Sequence, residues 1–132
     1  MKILLVEDEF IVATALKILL EIMGHEVVGI ADDVVSAVNQ SQSTHPQLAF
    51  VDMQLANGAS GLDAAAELQK SGVLCIFFTG NPPGGPRHDL ALGCLPKPCS
   101  DKALAGTIKI AEAVIQGLPL PPTPLGLELY RR

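Results

Sequence analysis

Short apolar runs alternate with longer segments of helical periodicity along the first 117 residues. The first run, Ile3 to Val6, is continuously apolar, as a strand buried on both faces should be. Because crossover helices keep a period near 3.6 residues, this alternation predicts a parallel sheet with helices on both faces. The five predicted strands cover residues 3–6, 26–31, 47–51, 73–78 and 94–96.

Four segments between and after these strands have the spacing of amphipathic helices. In the first, apolar residues recur from Val12 to Met23, with Asp8 predicted to cap its start and Gly24 its end. Ser100 is predicted to cap the last helix. The predicted helices cover residues 12–23, 34–40, 62–70 and 101–116.

The connection between the fourth and fifth strands departs from this pattern. Residues 81–86 read Asn-Pro-Pro-Gly-Gly-Pro, which removes amide donors and adds backbone freedom where a crossover helix is expected. Only residues 87–92 have the composition for a helical turn or two. We expect a mostly irregular crossover, mobile over residues 81–93. Pro96 donates no ladder hydrogen bond, so the fifth strand should lie at a sheet edge, or Pro96 near the strand's end.

Residues 118–132 form a proline-rich tail after Gly117. Its prolines favour an extended, semi-rigid path. The apolar side chains of Leu125, Leu127, Leu129 and Tyr130 offer docking contacts, but a loosely ordered terminus is the expected state. The predicted organisation is one domain over residues 1–117, followed by this tail and no output domain.

Composition narrows the class of protein. The chain has 132 residues, 48% of them apolar, and a net charge of −5 without a basic run. This argues against unspecific binding to nucleic acid or anionic lipid. No apolar stretch approaches the roughly 20 residues that cross a bilayer, so a cytoplasmic location is predicted. Cys75, Cys94 and Cys99 lack metal-ligand spacing and are assigned no chemistry.

Four of the predicted strands end in residues that carry reactive groups. Taken singly, Asp8 as a helix cap, Asp52 as a strand end, Thr79 as a turn residue and Lys97 as a solvated charge each have an ordinary explanation. Because the carboxyl ends of parallel strands meet at one edge, these groups should converge with Glu7. Clustered carboxylates favour Mg²⁺, and a hydroxyl and an ammonium group suit a phosphoryl group. The set predicts phosphoryl transfer.

The chain resembles the response-regulator receiver domains over residues 1 to about 117. The motifs that carry the resemblance are Leu-Leu-Val-Glu-Asp at 4–8, Val-Asp at 51–52, Phe-Thr-Gly at 78–80 and Lys-Pro at 97–98. The resemblance implies a flavodoxin-like, doubly wound five-stranded parallel sheet of order 2-1-3-4-5, with the fourth helix short or disordered. It also implies a cis Lys97–Pro98 bond.

The same resemblance implies a role for each site residue. Asp52 would be the phosphoacceptor, Thr79 and Lys97 would hold the phosphoryl oxygens, and the donor would be a phosphohistidine of a sensor histidine kinase. The Mg²⁺ ligands would be Glu7, Asp8, the Asp52 side chain and the backbone carbonyl of Gln54. The implied protein is a single-domain response regulator that signals by protein–protein contact or drains phosphate, and not an enzyme with a separate substrate.

Residues 77–80, Phe-Phe-Thr-Gly, and the broken fourth crossover are similar to an alphaproteobacterial subgroup of single-domain receivers with a Phe-Ala-Thr-Gly type motif. That subgroup is associated with HWE-type histidine kinases. One departure from the family is Cys94, which occupies the usual position of the aromatic switch residue, three before the lysine.

Two alternatives remain beside the phosphorylatable receiver. A pseudo-receiver would keep the fold without the chemistry, although every site residue type is present. A phosphatase or nucleotide-binding enzyme on the same fold ranks last, because there is no phosphate-binding glycine loop near strand one and residues 52–54, Asp-Met-Gln, lack a second acid.

Overall fold

The computed structural model describes residues 1–130, so Arg131 and Arg132 of the predicted tail lie outside the described residues. Strands and helices alternate along the chain, as the apolar pattern predicts. The strands are β1 (Lys2–Val6), β2 (Glu26–Ala31), β3 (Leu48–Val51), β4 (Leu74–Thr79), β5 (Gly93–Pro96) and β6 (Glu128–Leu129). The helices are α1 (Phe10–Ile22), α2 (Val34–Thr44), α3 (Gly61–Lys70) and α4 (Asp101–Gln116), with a single 3₁₀ turn at Ala56–Gly58.

The sheet has the order β2-β1-β3-β4-β5-β6. The first five strands are parallel, which confirms the flavodoxin-like fold and its predicted order. Alternate residues of the central strands feed two apolar cores, as a sheet covered on both faces requires. Leu5 and Phe50 pack in one core with residues of α1 and α4, whereas Leu4 and Val51 pack in the other with residues of α2 and α3.

Of the predicted helix caps, two agree with the structure and one differs, and α2 runs to Thr44, four residues beyond the predicted 34–40. Gly24 ends α1 with a φ of +92°, a conformation that favours glycine, and the Ser100 side chain caps α4 by accepting a hydrogen bond from the Ala103 amide. The expected Asp8 cap is wrong: the N-cap of α1 is Glu9, which makes no side-chain capping bond. None of the helices within residues 1–130 is both long and apolar enough to span a bilayer.

The crossover from β4 to β5 contains no helix over residues 80–92, as the prolines and glycines predict. Its one ordered element is a turn in which the amides of Leu90 and Ala91 donate to the Arg87 carbonyl. The Leu92 amide donates to the Cys75 carbonyl at 2.8 Å, so the crossover is anchored before β5 begins. The irregular connection ends at Leu92, because Gly93 already belongs to the strand, and mobility over residues 81–93 stays a prediction.

The tail is not the loosely ordered terminus that its composition suggests. Strand β6 pairs antiparallel with β5, matching Gly93 with Leu129 and Cys94 with Glu128, and makes the sheet six-stranded. The covering strand explains how β5 lies near the edge without exposing all its polar groups. Pro96 lies beyond the two paired residues, at the strand's end, where its missing amide costs no ladder bond.

The two faces of the docked tail contact different cores. Leu127 is 8% exposed and packs with the α1 and α4 side, whereas Tyr130 is 3% exposed and packs with the α2 and α3 side. On that second side, Tyr130 joins Leu90 and Ala91 of the crossover, where a helix would otherwise cover the sheet. The side chain of a tail residue thus fills part of the space that the helix-free crossover leaves. Leu125, by contrast, is 97% exposed.

Amide hydrogen exchange should divide the β4–β5 crossover into two parts. We expect fast exchange at the amides of Gly84, Gly85, Arg87 and His88, which make no ladder bonds. Exchange should be slow at Leu92, whose amide is bonded to β4 and whose side chain is 2% exposed. The measurement is native-state exchange followed by NMR. Protection at residues 84–88 equal to that of Leu92 would contradict the helix-free crossover.

Replacing Tyr130 by alanine should lower the free energy of unfolding by about 1–2 kcal/mol. The loss is smaller than for a central aromatic residue, because it cannot exceed the free energy by which a terminal strand docks. Leu125→Ala is the matched control on the same segment, and we expect it to change stability by less than about 0.5 kcal/mol. Urea unfolding of the three chains measures both; equal effects of the two substitutions would show that Tyr130 is not docked in solution.

Candidate functional site

The sheet brings four predicted site residues to one edge. Glu7, Asp52 and Lys97 each follow a strand directly, and Thr79 is the last residue of β4. The strand ladder continues through them: the Glu7 amide donates to Ala31 O at 2.8 Å, the Asp52 amide to Val6 O at 2.9 Å and the Lys97 amide to Thr79 O at 2.9 Å. The backbone at each position is therefore fixed by its neighbouring strand.

The ammonium group of Lys97 joins two carboxylates at the centre of the site. Its Nζ lies 2.9 Å from Glu7 Oε2 and 3.0 Å from Asp52 Oδ2. The carboxylate residues are buried, at 6% and 7% exposed, and Lys97 Nζ also lies 5.4 Å from the centroid of the Phe78 ring. Charge-assisted hydrogen bonds of this kind are strong in a partly dehydrated site. Lys97 thus offsets the repulsion that two buried carboxylates would otherwise exert on each other.

The two carboxyl groups differ in their affinity for protons. Burial raises the pKa of Glu7 to about 7; the hydrogen bond from Lys97 opposes this rise, and the neighbouring Asp52 adds to it. Burial also acts to raise the pKa of Asp52, but polar contacts with Glu7, Thr79 and Lys97 outweigh it and hold that pKa below its ordinary value. The first proton that the pair binds on acidification therefore goes to Glu7, whereas Asp52 stays ionised. An ionised carboxylate is the form that can act as a nucleophile.

The acidic cluster fits a divalent cation. One carboxylate oxygen from each of Glu7, Asp8 and Asp52 lies within 4.8 Å of the others. Asp8 is exposed, and instead of capping α1 it belongs to this cluster. Two hydrogen bonds form on either side of Gln54, from Gly61 N to Met53 O and from Leu55 N to Ala59 O. Neither of them involves the Gln54 carbonyl. An all-oxygen donor set of this kind suits Mg²⁺.

The surroundings of Asp52 include one contributor that sequence reasoning missed. A Cβ on Gly61 would overlap the carbonyl oxygen of Asp52, so only glycine lets the start of α3 approach this closely. The Met53 amide donates to Asp52 Oδ1 at 2.7 Å, which fixes the carboxylate from the side opposite Lys97. The available signal was a glycine immediately before the helix predicted over residues 62–70, in the loop that follows an acidic strand end.

The remaining polar groups near the site have identifiable partners. The backbone amide of Asn81 donates to the Thr79 hydroxyl oxygen at 3.0 Å, which orients the Thr79 side chain. Asp33, which follows β2, caps α2 by accepting a hydrogen bond from the Ser36 amide at 2.8 Å. The Lys97–Pro98 peptide bond is cis, as the resemblance implies.

The model of the response regulator receiver domain family matches residues 3–109. The chain belongs to this family. It is therefore a receiver domain of a two-component response regulator, and receiver domains are regulatory phosphoacceptors that bind Mg²⁺ at an acidic pocket and partner with histidine kinases.

Comparisons with individual proteins point toward PhyR. The phyllosphere-induced regulator PhyR of Methylorubrum extorquens is 45% identical over 83 residues, which cover 61% of this chain and 31% of that protein. The solution structure of the PhyR receiver domain of Erythrobacter litoralis is 26% identical with a TM-score of 0.74, covering 94% of this chain and 95% of that one. A Bartonella quintana structure described as the anti-anti-sigma factor PhyR is 28% identical with a TM-score of 0.70, over 88% and 48% of the two chains.

These likenesses support the receiver subgroup predicted from residues 77–80. The receiver spans about a third of the Methylorubrum protein and about half of the Bartonella chain. The link to HWE-type kinases, the roles of individual site residues and the division into residues 1–117 and 118–132 stay predictions.

The raised pKa of Glu7 predicts how the free energy of unfolding changes with pH. Because the folded receiver binds this proton more tightly than the unfolded chain, the free energy of unfolding should fall as pH rises from about 4.5 to about 7. Glu7→Gln should flatten that part of the profile. Thermal or urea unfolding in a chelating buffer across this range measures the difference between the two profiles. A constant difference between the two stability profiles across this range would show that the pKa of Glu7 is not raised in the folded chain.

Proposed function

We propose that Asp52 accepts a phosphoryl group from a phosphohistidine of a sensor histidine kinase. The observation that carries this proposal is the position of Lys97 Nζ, which lies 3.0 Å from Asp52 Oδ2 and 2.9 Å from Glu7 Oε2 at the same sheet edge. An ionised carboxylate, a cation and a hydroxyl then face one point, which is the set of groups that an in-line phosphoryl transfer needs.

The transfer step requires little covalent machinery. A carboxylate oxygen of Asp52 forms a bond to phosphorus while the bond from phosphorus to the imidazole nitrogen of the donor breaks, and the imidazole leaves with the electron pair. Both carboxylate oxygens of Asp52 have donors in the receiver, from the Met53 amide and from Lys97, so the nucleophile is oriented before the donor arrives. Orientation of this kind removes part of the entropic barrier.

Charge on the transferred group is neutralised by residues already in place. Lys97 can exchange its bond to Asp52 for a phosphoryl oxygen through a small movement, and the Thr79 hydroxyl can donate to another. Glu7, Asp8, Asp52 and the Gln54 carbonyl would hold Mg²⁺, whose bound charge counters the developing charge on the phosphoryl oxygens. The fit of this donor set to Mg²⁺ rests on the convergence of three carboxylates within 4.8 Å.

Loss of the phosphoryl group uses the same site. A water molecule attacks phosphorus, the bond to Asp52 breaks and inorganic phosphate leaves. Gln54 and Asn81 follow the ends of β3 and β4 at this edge, and we propose that their side chains influence how fast the water attacks. The Asn81 backbone amide donates to the Thr79 hydroxyl oxygen, which holds Asn81 next to a proposed phosphoryl-binding residue.

The partner we propose is an HWE-type histidine kinase, on the strength of the subgroup resemblance at residues 77–80. The downstream step would be a protein–protein contact, with a second protein or a phosphotransfer partner, or the chain would act as a phosphate sink. A relative described as an anti-anti-sigma factor favours the protein contact. The chain's negative charge gives no surface for unspecific binding to nucleic acid.

Asp52→Asn should abolish phosphorylation by acetyl phosphate in the presence of Mg²⁺, because the amide removes the nucleophile. Asp63→Asn, which changes an exposed carboxylate on α3, is the matched control and should leave labelling unchanged. Intact-protein mass spectrometry resolves the phosphorylated and free forms. A chelator should abolish labelling of the unaltered chain. Equal labelling of the Asp52 and Asp63 variants would overturn the proposal.

A further inference from the structure

Lys97 reaches its two carboxylate partners by crossing over a strand. In the sheet order β1-β3-β4-β5, Lys97 follows β5, whereas Asp52 follows β3 and Glu7 follows β1. Neighbouring strands lie about 4.8 Å apart, and β4 stands between the lysine and both partners. The Lys97 side chain therefore passes over the end of β4, where the last two residues are Phe78 and Thr79.

The aromatic ring of Phe78 lies where that crossing takes place. Residues of a strand alternate between the two faces of the sheet, and Phe78 and Leu95 both belong to the core on the α1 and α4 side. Lys97 is two residues beyond Leu95, so its side chain starts on the same side. Its Nζ lies over the Phe78 ring, 5.4 Å from the centroid, within the range in which an ammonium group is attracted to an aromatic face. The ring thus supports the ammonium group while it bonds to the carboxylates.

The orientation of the Phe78 ring is fixed by a second ring. Phe50 on β3 packs edge to face against Phe78, with 6.1 Å between the ring centroids and an angle of 77° between the ring planes. Aromatic pairs prefer this arrangement. Phe50 is 2% exposed and Phe78 is 9% exposed, so the surrounding core holds both rings. A rigid apolar stack therefore stands beneath the Lys97 ammonium group.

The fold leaves open space on the α1 side of this stack. A surface cavity of about 480 Å³ is lined by Phe78, by Lys97 and by apolar residues of α1 that include Ile11 and Leu16. Of the lining residues within the described chain, Lys97 alone is charged. A lysine side chain has many rotamers, and beside open space it uses them unless a contact restricts it. The Phe78 ring supplies such a contact.

We propose that Phe78 is a positioning residue for phosphoryl transfer: its ring holds the Lys97 ammonium group beside Asp52 and beside the phosphoryl group that Asp52 receives. This inference rests on the proposed phosphorylation of Asp52. During transfer Lys97 exchanges a carboxylate oxygen for a phosphoryl oxygen, and an ammonium group that stays over the ring is already in place for that exchange. Phe78 acts on the reaction through Lys97.

This aromatic contact is a feature of this chain and does not come from the subgroup resemblance. Residues 77–80 read Phe-Phe-Thr-Gly, whereas the motif of the subgroup is of the Phe-Ala-Thr-Gly type. The second position of that motif, which carries the ring here, is alanine there. A methyl group offers an ammonium group no aromatic face.

Three substitutions separate the ring from the apolar volume that it fills. Phe78→Leu keeps an apolar side chain but removes the ring, and Phe78→Tyr keeps the ring. Ile76→Val is the matched control, because it removes buried apolar surface from the same strand and the same core. If Phe78→Leu does not fold, as judged by circular dichroism, Phe78→Met takes its place, because its unbranched side chain adapts to irregular space.

The first measurement is the NMR signal of the Lys97 ε-methylene group in chains that contain ¹³C-labelled lysine. Protons over an aromatic ring are shielded, so we expect an upfield shift in the unaltered chain, in Phe78→Tyr and in Ile76→Val. In Phe78→Leu the signal should move to the position of Lys70, whose side chain is 68% exposed. A Lys97 signal that is the same in Phe78→Leu and in the unaltered chain would contradict the proposal.

The second measurement is the initial rate of phosphorylation by acetyl phosphate in the presence of Mg²⁺. Phe78→Leu should be labelled about three- to tenfold more slowly than the unaltered chain, whereas Phe78→Tyr and Ile76→Val should stay within about twofold. Equal rates for Phe78→Leu and Ile76→Val would refute the positioning role and leave the role of Asp52 intact. Absence of labelling in the unaltered chain would instead refute the proposed function, and the NMR comparison would still decide whether the ring holds Lys97.

Discussion

The bridge from Lys97 to Glu7 and Asp52 is the interaction on which the site depends. Two buried carboxylates stand beside each other, and without a cation between them their repulsion would force protonation or separation. The ammonium group, at 2.9 and 3.0 Å, lets Asp52 stay ionised and buried. The same arrangement leaves the cluster acidic enough for a divalent cation. Stability and chemistry in this receiver are therefore two aspects of one charge balance.

That balance is possible because the sheet is parallel. Residues that are 45 and 90 positions apart in the chain meet at the carboxyl ends of neighbouring strands, where their main chains continue the ladder for one more residue. The cores on the two faces hold these strands in register, with no requirement for a covalent link. The reactive groups are thus held by the most rigid part of the fold, which is what a site that works by orientation needs.

The part of the fold around β5 is arranged differently. The crossover before this strand has no helix over residues 80–92, and the tail supplies both an added strand and the Tyr130 side chain that packs beside Cys94. Cys94 stands three residues before Lys97, where the family usually has an aromatic residue, and here an aromatic side chain arrives from the end of the chain instead. Chemistry at the strand ends and the contacts beside β5 are therefore carried by separate pieces of sequence.

The sequence by itself determined the element types over residues 1–117, the sheet order through the family resemblance, and which residues meet at the candidate site. These follow from local signals: apolar periodicity, proline and glycine breaks, and chemical groups at strand ends. Tertiary structure decided the rest. Asp8 turned to the acidic cluster and left the N-cap to Glu9, Gly61 proved to be a contact of Asp52, and a proline-rich tail became a strand. Each of these depends on a partner distant in sequence, so no local pattern could carry the information.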